Sequence, residues 1–97
     1  MMFVGAGRVV LGLDDNHSLK GKRSVVKRVI QRCRNRFNVA VAEIDDNDIL
    51  NRAVLGLVVV GNDKQFVNSC LDKIIDFIEE LGQAPILDCQ VQIDQYA

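Results

Sequence analysis

The 97-residue chain has no tryptophan, one proline, one histidine and no Cys-x-x-Cys pair. Each shortage closes off a class of function. Three widely spaced cysteines, Cys33, Cys70 and Cys89, with His17 as the lone histidine, do not make the two close ligand pairs of a structural zinc site. No metal and no cofactor is expected. Each cysteine falls on an apolar stripe, where a free thiol behaves as a small buried hydrophobe in a reducing compartment. No apolar run reaches the roughly 18 residues of a membrane span. In the N-terminal MMFVGAGRVV, Arg8 follows the apolar residues instead of preceding them, so the segment reads as a first strand in a cytoplasmic protein. The length suits one domain, 1–97, with a single core of two layers.

The most informative shortage is of acidic residues: none occurs between Asn16 and Ala42. That gap contains eight of the twelve basic residues, Lys20, Lys22, Arg23, Lys27, Arg28, Arg32, Arg34 and Arg36. Everything outside it carries four positive against thirteen negative charges. A net charge of −1 therefore conceals a basic element on an acidic body.

Along the chain, residues 2–13 are small and β-branched and predict a strand buried on both faces. Asp14, Asp15 and Asn16 end it. Ser18 is suited to cap a helix reaching Phe37, whose apolar residues Val26, Val29, Ile30, Cys33 and Phe37 share one face. A second strand is predicted at 38–45 and a central, doubly covered one at 52–60, with turn chemistry at Asp46 and Asn47 between them. A second helix, capped by Asn62 or Asp63, buries Val67, Cys70, Leu71, Ile74, Ile75 and Ile78 and exposes Asp72, Asp76, Glu79 and Glu80. Gly82 closes it. Leu87, Cys89, Val91 and Ile93 alternate with polar residues in a half-buried edge strand at 86–93. The order βαββαβ predicts an α+β, ferredoxin-like sandwich, an antiparallel four-stranded sheet with two helices on one face. The other face would then show either Leu55, Leu57 and Val59 or Val54, Val58 and Val60. A homo-oligomer covering that patch is the expectation.

Most motifs fail on inspection. A phosphate loop around Gly21-Lys22 would need glycine at Asn16 and serine or threonine at Arg23. Gly5-Ala6-Gly7 lies within a strand and meets Val10 where a dinucleotide fingerprint needs glycine. The run Glu43, Asp45, Asp46, Asp48 lacks the turn glycine and terminal glutamate of a calcium loop and reads as a solvated hairpin tip. Strand three has no aromatic residue for stacking bases. His17 stands as a lone candidate acid or base, with no nucleophilic set around it, so enzymatic activity is not expected.

The basic helix remains. At about 100° per residue, Lys20, Arg23, Lys27 and Arg34 border one side of the apolar stripe, while Arg28 and Arg32 occupy the other side of the exposed arc. Ser18, Lys20, Lys22 and Arg23 form a candidate anion seat at the helix start. All eight cations, Arg36 included, are candidate contacts for nucleic-acid phosphates along about 20 Å of helix. The competing readings are a solvated face paired with acidic residues of the second helix, a regulatory small-ligand domain of the ACT-like kind, and a module docking on an acidic protein.

The stretches HSLKGKRSVVK, RFNVAVAE and RAVLGLVVVGND resemble the YlxP-like family of small bacterial proteins, a domain of unknown function, in order over nearly the whole chain. The resemblance implies a ferredoxin-like fold and a bacterial cytoplasmic protein. The family's genes often lie near those for translation initiation factor two and ribosome-binding factor A, which implies a link to structured RNA or a ribosomal subunit. It implies no catalytic residue.

Overall fold

The computed structural model describes residues 1–13 and 18–97. The turn expected at Asp14, Asp15 and Asn16, and His17, weighed only as a lone acid or base, lie outside the described residues. The elements run β1 (Phe3–Gly12), α1 (Leu19–Arg36), β2 (Ala40–Asp45), β3 (Arg52–Gly61), α2 (Lys64–Leu81) and β4 (Ile86–Gln95). All strand pairs are antiparallel, in the order β2-β3-β1-β4. The predicted βαββαβ sandwich is what forms, with the two apolar strands in the middle.

Local chemistry sets the helix ends. The Ser18 hydroxyl accepts from the Gly21 N–H at 3.0 Å and starts α1; Asp63 accepts from the Phe66 N–H at 2.9 Å and starts α2. Gly82 ends α2 at φ 64°, a left-handed conformation that glycine adopts without a Cβ penalty.

Odd-numbered residues of β1 and β3 face the helices. Val9, Leu11, Leu55 and Leu57 there pack with Val29, Cys33, Val67, Leu71, Ile74 and Ile78, all 1% exposed or less. Gly5 admits α2 to the sheet: a Cβ at that position would stand 2.5 Å from Val67 and 2.7 Å from Leu71. Ile30, Phe37, Cys70 and Ile75 pack half-buried around this core.

The structure corrects three expectations. β3 is not covered on both faces, because its even-numbered Val58 and Val60 point away from both helices. β4 is largely exposed; α2 leaves most of it uncovered, and only Ile86 and Ile93 are half-buried. A register shift between Val10 and Leu11 sends Leu87 over Gly12, to the face opposite the helices and out of step with Cys89, Val91 and Ile93. The cysteines do not behave alike either: Cys33 is buried, Cys70 half-buried and Cys89, on the uncovered β4, exposed. Among the described residues no helix is long and apolar enough to cross a membrane, and no cluster of metal-ligating side chains occurs.

Burial pushes the Cys33 thiol up from 9.0 to about 11. Near neutral pH both folded and unfolded chains keep that proton, so the shift has no effect there. Above pH 9 the unfolded chain releases it first, and stability should fall by up to about 1.4 kcal/mol per pH unit until the native thiol also ionises. Urea denaturation near pH 8 and about pH 10 should show a larger loss for the wild type than for Cys33→Ala.

Candidate nucleic-acid interface

The α1 sequence presents one apolar stripe, and the stripe's first member is a lysine. Lys22 stands four residues before Val26 and seven before Val29, so helical geometry turns it inward. It is 1% exposed. Its ammonium lies 3.1 Å from Glu43 Oε2 on β2, donates to the Ile49 carbonyl at 2.7 Å and donates also to the Asp46 carbonyl. Asp46 holds this turn in shape at φ 57°, where aspartate is among the few side chains tolerated, and its carboxylate accepts from Arg52 Nε at 2.6 Å. Two members of the expected solvated acidic tip, Glu43 and Asp46, thus take part in a buried clamp between the β2–β3 turn and α1.

Lys22 is therefore withdrawn from the set of candidate phosphate contacts: its ammonium is enclosed by protein acceptors and cannot reach a ligand. The anion seat at the helix start shrinks with it. Ser18 commits its hydroxyl to the cap, and only Lys20 and Arg23 remain at that end with exposed charges. The spacing of Lys22 from the apolar stripe was the legible signal for its burial, overridden by the rule that lysine is seldom inside unless paired.

The other seven cations of α1 are all exposed. Lys27 and Arg23 line a groove of about 330 Å³ between α1 and the edge strand β2, with Gln31 and Arg34 beside them. Arg34 donates to the Val41 carbonyl at 2.9 Å, which blocks one acceptor of that strand edge. On the opposite flank Arg28 donates to Gln83 Oε1 at 2.6 Å. The Arg36 guanidinium lies 5.6 Å from the centre of the Phe77 ring and 6.0 Å from that of Phe37, two rings that themselves meet edge to face. Among the described residues, none of these seven forms an ion pair with a carboxylate, and the acidic side of α2 does not neutralise them. Arg28, Arg34 and Arg36 are oriented by neutral partners and keep their charge for solvent or for an anion.

Substituting Lys22→Met should cost about 3 kcal/mol of stability in urea denaturation, because it leaves Glu43 charged and buried without a partner. Adding Glu43→Leu should recover part of that loss. A Lys22→Met cost below about 0.5 kcal/mol, the range of ordinary surface substitutions, would show that the clamp does not hold the turn.

Comparison with known proteins agrees with this frame. Two designed proteins share the fold. One, De novo designed protein Foldit4, superimposes over the full length of both chains with a TM-score of 0.60 at 15% identity. The other, De novo designed protein LFR1 1 with ferredoxin fold, matches 99% of this chain and 88% of its own with a TM-score of 0.57 at 17% identity. In sequence the chain is 35% identical over 69 residues to the Uncharacterized protein YlxP of Bacillus subtilis (strain 168), spanning 71% of this chain and 75% of that protein. The family described as Protein of unknown function (DUF503) matches residues 4–91. With nearly the whole chain matched and the expected fold in place, the protein belongs to the YlxP-like DUF503 family.

Proposed function

We propose that this protein is a non-catalytic accessory factor that binds structured RNA through the exposed face of α1. One observation carries the reading: seven cations share one exposed helix that contains no acidic residue, and none of them is ion-paired among the described residues. Concentrated positive charge without local neutralisation is the electrostatic footprint of a phosphate-binding surface. The interface consists of Lys20, Arg23, Lys27, Arg28, Arg32, Arg34 and Arg36. Because the sheet offers no aromatic platform, recognition rests on backbone charge and on the shape of a folded RNA. The gene neighbourhood implied by the family favours a ribosomal subunit or its precursor as the particle concerned, in the cytoplasm.

Arginine outnumbers lysine five to two on this face, which suits phosphate recognition. Each guanidinium presents a planar fork of donors that matches two phosphate oxygens at once. Those fixed by Gln83, Val41 and the Phe37–Phe77 pair are already partly ordered, so less side-chain entropy is lost on binding.

Filter binding of the purified chain to small-subunit ribosomal RNA should show affinity falling with salt at a log–log slope of roughly −3 or steeper, as several counterions are released. Arg28→Glu combined with Arg32→Glu should weaken binding about tenfold or more while leaving the circular dichroism spectrum unchanged. A folded double variant that binds as tightly as the wild type would remove α1 from the interface.

A further inference from the structure

The helices cover one side of the sheet, and β3 shows its other side through Val58 and Val60, 44% and 52% exposed. Register sets small or apolar neighbours around them: Val60 lies opposite Val4, and Val58 lies between Ala6 and Ala40. Ile44, two residues on from Gly56's register partner Ala42, lays its side chain over Gly56 on this same face and is 53% exposed. The apolar surface is thus continuous over three strands, a patch that a monomer seldom leaves in water. Val10 and Val54, on the same side but toward the Leu87 end, are already buried.

The charges on this face identify the occupant. Arg8, half-buried on the central strand β1, makes no hydrogen bond or ion pair among the described residues. On the same side of the neighbouring β4, Asp88 lies opposite Val10, and Asp94 lies opposite Val4, where Gln92 donates to it. One surface therefore carries an apolar area, an unpaired cation and two carboxylates. That combination is self-complementary under a twofold axis, since each copy's Arg8 can meet one aspartate of the other while the apolar areas stack. A hollow of about 590 Å³ floored by Ala6 and Gly56, between Ile44 and Gln90, leaves room for the partner's side chains. Strands about 4.8 Å apart with a rise of about 3.4 Å per residue give the sheet a flat footprint on the order of 600 Å². Its pleated side chains bring the accessible area toward the roughly 800 Å² per partner of a standard interface.

We infer that a second copy of this chain covers the sheet, and that the protein is a twofold dimer joined face to face through β3 and β1. The helices then lie on the two outer sides. Two basic α1 faces point in opposite directions, so one dimer presents two phosphate-binding surfaces. That last consequence rests on the RNA reading above; the dimer does not.

Analytical ultracentrifugation of the full chain at micromolar concentration tests it without RNA. The wild type should sediment as a dimer, and Val58→Lys with Val60→Lys as a monomer with an unchanged circular dichroism spectrum. Should that variant fail to fold, Val58→Thr with Val60→Thr keeps the β-branched shape and should weaken dimerisation about tenfold or more. Arg8→Glu alone and Asp88→Lys with Asp94→Lys alone should each weaken self-association, and mixing the two variants should restore a heterodimer in which one charge pairing is reversed, the other is native, and both are matched. A monomeric wild type would overturn the inference. So would a folded Val58, Val60 variant that remains dimeric, or a mixture with no recovery.

Discussion

An amphipathic helix has a single stripe to bury, and in α1 that stripe begins with a charge. The rest of the structure depends on how Lys22 is accommodated. A buried ammonium is tolerable only where a counter-charge and acceptors replace its water. Here Glu43 and the carbonyls of Asp46 and Ile49 do so. Because those acceptors belong to β2 and the turn after it, the arrangement fixes the rotation of α1 about its axis and ties the turn beneath it. A rotation by one residue, about 100°, would withdraw Lys22 from Glu43 and lift Val26, Val29 and Cys33 off the sheet together. The inward lysine thus determines which seven cations face outward.

The fold then keeps its surface properties apart. Positive charge is gathered on α1, negative charge on α2, β4 and the β2–β3 segment, and a continuous exposed apolar area lies on the side of the sheet away from both helices. The two edge strands differ in the same spirit. β2 is short, kinked at Ile44 and flanked by Arg34, whereas β4 runs ten residues with charges only at Asp88 and Asp94. The proposed contacts to RNA phosphates and to a second copy would therefore use different sides of one small sandwich. Neither demands rearrangement of the core.

Much of this frame is legible in the residues. The apolar stripes of α1 and α2 are regular, Ser18 and Asp63 are recognisable caps, and Gly82 followed by Pro85 marks a stop, so element order and topology follow from local chemistry. Two kinds of feature escape such reading. Lys22 has the spacing of a core residue but the identity of a surface one, and its partners lie more than twenty residues away along the chain, beyond any local pattern. The alternation of Leu87 with Cys89 and Val91 is genuine in sequence, yet the register shift beside Leu87 moves that residue to the other face. Bulges of this kind come from pairing with a neighbouring strand and leave no periodic trace. All eight cations of α1 stand out from the missing acidic residues alone; that Lys22 turns inward required the fold.

The most direct test of the central claim is co-sedimentation of the tagged chain with ribosomal particles from a bacterial lysate, run at low and at moderate salt. Migration with one subunit or its precursor at low salt, released steeply as salt rises, is the result that phosphate contact through α1 predicts. A protein that stays at the top of the gradient at every salt concentration would contradict it.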